Sequence, residues 1–145
     1  MSERADALKG LKTTLIDSRN GYEEAVLDAE GKGLTTLFQE MVALRTRHIE
    51  EINHHLIEMG EPRQDEASFM STVHRTVISI RSALTGLDTN VLPSLISGEE
   101  TILNDYDEVL KVAADTDLQP AFLVAQRQEL ADKIRTMEVL RDKAA

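Results

Sequence analysis

Residues 92–113 read Leu-Pro-Ser-Leu-Ile-Ser-Gly-Glu-Glu-Thr-Ile-Leu-Asn-Asp-Tyr-Asp-Glu-Val-Leu-Lys-Val-Ala. Leu92, Leu95, Ile96, Ile102, Leu103, Tyr106, Leu110 and Ala113 recur at the three- and four-residue spacing of a single helix face. Pro93 falls in the first turn, where a missing N–H costs little, so the stretch predicts a long amphipathic helix with its apolar stripe in a core. Glu99 sits in the middle of that stripe. A carboxylate on a core face has to be paired, protonated or bound to a metal, because an isolated buried charge costs many kcal/mol.

Working outward, the same periodicity returns. Residues 3–29 place Leu8, Leu11, Leu15, Tyr22 and Val26 inward and are broken by Gly31 and Gly33. Residues 34–59 carry Leu34, Leu37, Phe38, Met41, Ile49, Ile52, Leu56 and Met59, and stop at Gly60 and Pro62. Two long segments joined by so short a turn predict an antiparallel hairpin. Residues 68–84 present Met70, Val73, Val77, Ile80 and Leu84 and end at Gly86. The fourth segment starts near Asn90, and Asp117 caps a fifth in which Leu123, Leu130, Ile134, Met137 and Leu140 point inward. No stretch alternates apolar and polar residues for the length of a strand. The expected fold is therefore all-α: one domain over residues 1–145, an antiparallel four-helix bundle of helices roughly 35 to 40 Å long with one additional short crossover helix.

Composition narrows the function. There are 26 acidic residues against 16 basic ones, net charge -10, which argues against nucleic acid because phosphates call for a concentrated basic surface. The absence of cysteine removes disulfides and thiolate sites. The longest purely apolar run is residues 121–125, and the start carries an early acid with no apolar stretch of signal-peptide length. A cytoplasmic protein that engages no membrane is expected. There is no Gly-x-Ser-x-Gly elbow and no phosphate-binding glycine loop, which disfavours a nucleophilic hydrolase.

Across these segments runs an ordered set of residues: Leu15-Ile16-Asp17, Gly21-Tyr22 and Ala25, then Leu37-Phe38, Arg45 and Glu51 ahead of Gly60 and Pro62. His74-Arg75, Gly98-Glu99 with Tyr106, and Leu140-Arg141-Asp142 complete it. In this order and spacing the chain resembles a bacterial family of unknown function within the ferritin-like four-helix-bundle superfamily. The resemblance implies the fold, suggests a link to stress physiology, and carries no established reaction.

Ferritin-like di-iron sites use inward carboxylates and Glu-x-x-His pairs on facing helices. One such string is present, Glu51-Ile52-Asn53-His54. Helical phasing centred on Leu34, Phe38, Met41, Arg45 and Ile52 puts Glu51 on a flank and turns His54 outward, whereas His48 and His55 share the flank of Glu51. The fifth segment has Gln126 inward and no Glu-x-x-His, so a complete di-iron set cannot be assembled. The candidate metal ligands are Glu99, Glu51, His48 and His74, a degenerate set suited to a single iron or zinc.

The competing interpretation of the same residues is a hydrogen-bonded charge network. Arg45 lies on the apolar face of the second segment as Glu99 does on the fourth, and a bidentate arginine–carboxylate pair is the least costly way to bury both. Arg19, Tyr22, His48, His74, Tyr106 and Gln126 are placed to extend it, with Glu23 or Glu51 as further acids. Ion-pair networks are commoner than active sites among buried charges, so a non-enzymatic structural or interaction protein is favoured over an iron- or zinc-binding one. Self-association into a homo-oligomer stays open.

Overall fold

Four helices form where the apolar spacing is sustained, and none contains a proline beyond its first turn. In the computed structural model, which describes residues 2–26, 34–61, 91–114 and 121–144, they are α1 (Ser2–Ala25), α2 (Thr35–Glu58), α3 (Val91–Ala114) and α4 (Ala121–Ala144). The described residues contain no strand. The fold is all-α, as the periodicity predicts. The expected short helix over residues 68–84 lies outside the described residues, together with Gly31, Gly33, Asn90 and Asp117.

The chain divides into two compact units, Lys12–Asp88 and the combination of Met1–Leu11 with Thr89–Ala145. In the first, three contacts run up α1 as they run down α2. Tyr22 meets Phe38 edge to face with ring centroids 5.0 Å apart, Arg45 reaches Ser18, and Lys12 reaches Asn53. The helices are therefore antiparallel. Leu15 and Ile16 of α1 and Phe38, Met41, Ile49 and Ile52 of α2 are fully buried, each such side chain contributing about 1.5–3 kcal/mol.

α2 ends in a Schellman arrangement. Gly60 N–H donates to the Ile57 carbonyl and Glu61 N–H to that of Leu56, both at 3.0 Å, while Gly60 takes φ +89°. Only glycine adopts that angle without steric cost, so the break expected at Gly60 has a conformational cause.

In the second unit α3 and α4 pack along one another. Six residues separate them, spanning at most about 25 Å, too little to join the far ends of helices about 36 Å long. The pair is therefore antiparallel. Its buried stripe includes Leu92, Leu95, Ile96, Ile102, Tyr106 and Leu110 of α3 and Leu123, Leu130, Ile134 and Met137 of α4. Leu140, expected inward, is 37% exposed: it falls in the last turns of α4, level with the first turn of α3, where the facing helix runs out. Met59 and Val26, just past the ends of their helices, are likewise not buried. No described helix is long and apolar enough to cross a membrane.

Candidate functional site

The polar side chains inside the apolar stripes are the only departures from an ordinary helix core among the described residues, and each can be traced to a periodic position. In the α1/α2 hairpin they are Lys12, Ser18, Arg45, His48 and Asn53. Lys12 Nζ donates to Asn53 Oδ1 at 2.8 Å. Arg45, fully buried, donates from Nε to Ser18 Oγ at 3.3 Å. Each helix thus supplies one cation and one neutral acceptor to the other. These hydrogen bonds offset part of the cost of burying the groups, although Arg45 Nη1 is buried without a hydrogen-bond acceptor among the described residues.

In the α3/α4 hairpin the buried polar groups are Glu99, 3% exposed, and the pair Tyr106 and Gln126. Tyr106 Oη donates to Gln126 Oε1 at 2.7 Å, which fixes the amide orientation and holds both side chains at one level. Beside them Arg127 forks onto Asp107, Nε to Oδ1 at 2.5 Å and Nη2 to Oδ2 at 3.3 Å. This pair is open to solvent, with side chains 35% and 42% exposed, and its hydrogen bond raises the Arg127 guanidinium further above its already high value. A shallow hollow on α3 lined by Asn104, Asp107, Glu108, Leu110 and Lys111 adjoins it. Its charges are already matched, Lys111 to Glu108 at 2.9 Å and Asp107 to Arg127.

The residues singled out by sequence distribute unevenly. Glu99, Arg45, His48, Tyr22, Tyr106 and Gln126 are buried. Glu51 and Glu23 are exposed. Arg19 bonds Asn20 Oδ1 through Nε at 3.2 Å and Nη2 at 3.1 Å. His54 is turned outward as its phase predicts, 71% exposed and 3.5 Å from Glu58, with His55 3.7 Å from the same carboxylate. His74 lies outside the described residues, among which no group of three or more His, Asp or Glu side chains is arranged to hold a metal ion. Among the described residues, Glu99 and His48 are the candidate ligands that are buried.

Lys12, Ser18 and Asn53 were not anticipated. The signal was available: Lys12 is four residues from both Leu8 and Ile16, Ser18 three from Leu15 and four from Tyr22, and Asn53 four from Ile49 and three from Leu56.

A family profile described as a domain of unknown function, DUF2383, matches residues 3–112, most of α1 to α3. The chain belongs to the DUF2383 family. No curated protein and no solved structure matches it significantly. The DUF2383 match ends two residues before the end of α3, yet α4 supplies Gln126 to buried Tyr106 and Arg127 to Asp107. α4 shares a hydrophobic and polar core with α3, whatever the extent of the family profile.

Proposed function

We propose that this DUF2383 protein is a non-enzymatic structural or interaction protein, a ferritin-like four-helix bundle with a crossover over residues 68–84, whose buried polar side chains act as a lock. The carrying observation is that buried donors find protein acceptors inside each hairpin: Lys12 on Asn53, Arg45 on Ser18 and Tyr106 on Gln126. Arg45 and Glu99 are both buried, and each charge calls for compensation inside the protein. An acidic chain of this kind suits a cytoplasmic role alongside other proteins, in keeping with the stress physiology of the wider superfamily, and does not suit nucleic acid.

Metal analysis of protein purified without a histidine tag, paired with thermal melts, tests this. Substoichiometric metal and a melting temperature unmoved by chelator are expected. Stoichiometric iron or zinc, lost in Glu99→Gln, would overturn the proposal in favour of a metal-binding bundle using Glu99, Glu51, His48 and His74, with about 2.0–2.3 Å metal–ligand distances.

A further inference from the structure

We infer that α4 is a strap on α3 that opens from its C-terminal end while the rest of the fold stays closed. This goes beyond the structural proposal above and does not depend on whether metal is bound. The helices are equal in length, 24 residues each, so their burial can be compared directly. α2 buries ten side chains, whereas α4 buries five: Leu123, Gln126, Leu130, Ile134 and Met137. That is a line barely more than one side chain per turn wide. Three large apolar side chains of α4, Val124, Val139 and Leu140, face solvent instead. A helix held by so little buried surface belongs to the low-stability end of a structure, where opening below the global level begins.

The hydrogen bonds set the direction of opening. Tyr106–Gln126 and Asp107–Arg127 both engage the second turn of α4, toward the end that follows on from α3, and serve as a hinge clamp. The other end runs out level with the first turn of α3, leaving Leu140 partly exposed. Gln128, Arg135 and Thr136 bond to Asp132, and Arg141 to Asp142, all within α4. These bonds travel with the helix, so α4 stays a helix as it lifts. In the antiparallel pair Glu99, seven residues before Tyr106, is level with Lys133, seven residues after Gln126. Opening therefore removes α4 from beside the turn of α3 that carries the buried Glu99, and the strap governs the access of water to that turn.

The chain has no cysteine, so one introduced thiol is the sole target of a thiol reagent in the full-length protein. Met41 of α2 and Met137 of α4 are both fully buried, each about two turns from a helix end, and make a matched pair. Under native conditions Met137→Cys should react with Ellman's reagent about tenfold or more faster than Met41→Cys, because only the former is uncovered by strap opening. Leu123→Cys, on the hinge side of α4, should react more slowly than Met137→Cys. Equal rates at positions 41 and 137 would overturn the strap, and equal or faster reaction at 123 would overturn its hinge. Hydrogen exchange of the unaltered chain decides the matter if a variant does not fold. Amides of residues 130–137 should exchange faster than those of residues 41–52, and equal protection of the two stretches would overturn the strap as well. Metal content tests the structural proposal independently, so failure of one is distinguishable from failure of the other.

Discussion

The two hairpins bury polarity in opposite ways. α1 and α2 hold two cations, Lys12 and Arg45, against neutral oxygens, while α3 and α4 hold one carboxylate, Glu99, and a neutral tyrosine–amide bond. The second hairpin keeps its interhelical ion pair, Asp107 with Arg127, where water reaches it. An arginine can therefore do two different jobs in the same small protein. Arg45 is fully removed from solvent and every alternative placement costs its desolvation; Arg127 can exchange Asp107 for water at little cost.

The sharpest way to break that contrast is to truncate both arginines. Arg45→Ala is expected to cost about 3–5 kcal/mol, since it removes a large buried side chain together with its hydrogen bond to Ser18. Arg127→Ala should cost under about 1 kcal/mol and less still at high salt. Denaturant titrations of these variants give the comparison directly. Equal losses at Arg45 and Arg127 would mean that burial does not separate them.

Within the second hairpin, Tyr106→Phe keeps the ring and deletes the hydroxyl that donates to Gln126. A loss of about 1–2 kcal/mol is expected from removing a buried donor while its acceptor stays. Gln126→Leu combined with Tyr106→Phe should be milder than Tyr106→Phe alone, and a non-additive cycle would establish that the two side chains act as a pair.

How much of this was legible in the sequence depends on how each residue interrupts its stripe. Glu99 and Arg45 stand out because a charge replaces an apolar residue in an otherwise clean period, and their burial follows from that period alone. Tyr106 and Gln126 were placed inward by the same argument. Asn53 sits inside Glu51-Ile52-Asn53-His54, a string whose metal-like spacing points to the outward His54 rather than to the inward amide. Lysine usually carries its ammonium to water along an apolar stem, whereas Lys12 is buried with Asn53 facing it from α2, and a partner on another helix is invisible to one helix's periodicity. The pattern carries the first helix to residue 29 because nothing before Gly31 interrupts it; α1 runs to Ala25, and residues 27–29 lie outside the described residues.

Glycines sharpen the comparison with effects of opposite sign. In the first hairpin Gly60 occupies a positive φ that caps α2, so Gly60→Ala should destabilise by about 1 kcal/mol. In the second, Gly98 lies exposed inside α3, and a Cβ built there meets no atom within 4 Å among the described residues. Close packing against the described helices is therefore not its reason, and Gly98→Ala should stabilise by about 0.5–1 kcal/mol through helix propensity. Thermal melts of the two variants should move in opposite directions; a destabilised Gly98→Ala would imply that the glycine serves something other than the helix.

The smallest expected effect concerns charge on the partly buried flank of α3. Burial, and then the neighbouring Glu108 carboxylate, push the Asp105 carboxyl above its ordinary value. A raised carboxyl binds its proton more tightly in the folded chain than in the unfolded one, so its contribution to stability is fully present below the unfolded value of about pH 4 and is lost as pH rises through the higher folded value. At neutral pH the ionised Asp105 is then a small standing penalty, opposite in sign to that of a salt-bridged carboxylate. Asp105→Asn should raise stability at pH 7 by less than about 1 kcal/mol, and the gain should shrink toward zero near pH 3, where the wild-type side chain is already neutral. Because acid also protonates the other carboxylates, the quantity to follow is the difference between variant and wild type across that range. A difference that grows on acidification would mean that the folded chain favours the ionised Asp105, and that the exposed charges of α3 support the second hairpin where the geometry has them opposing it.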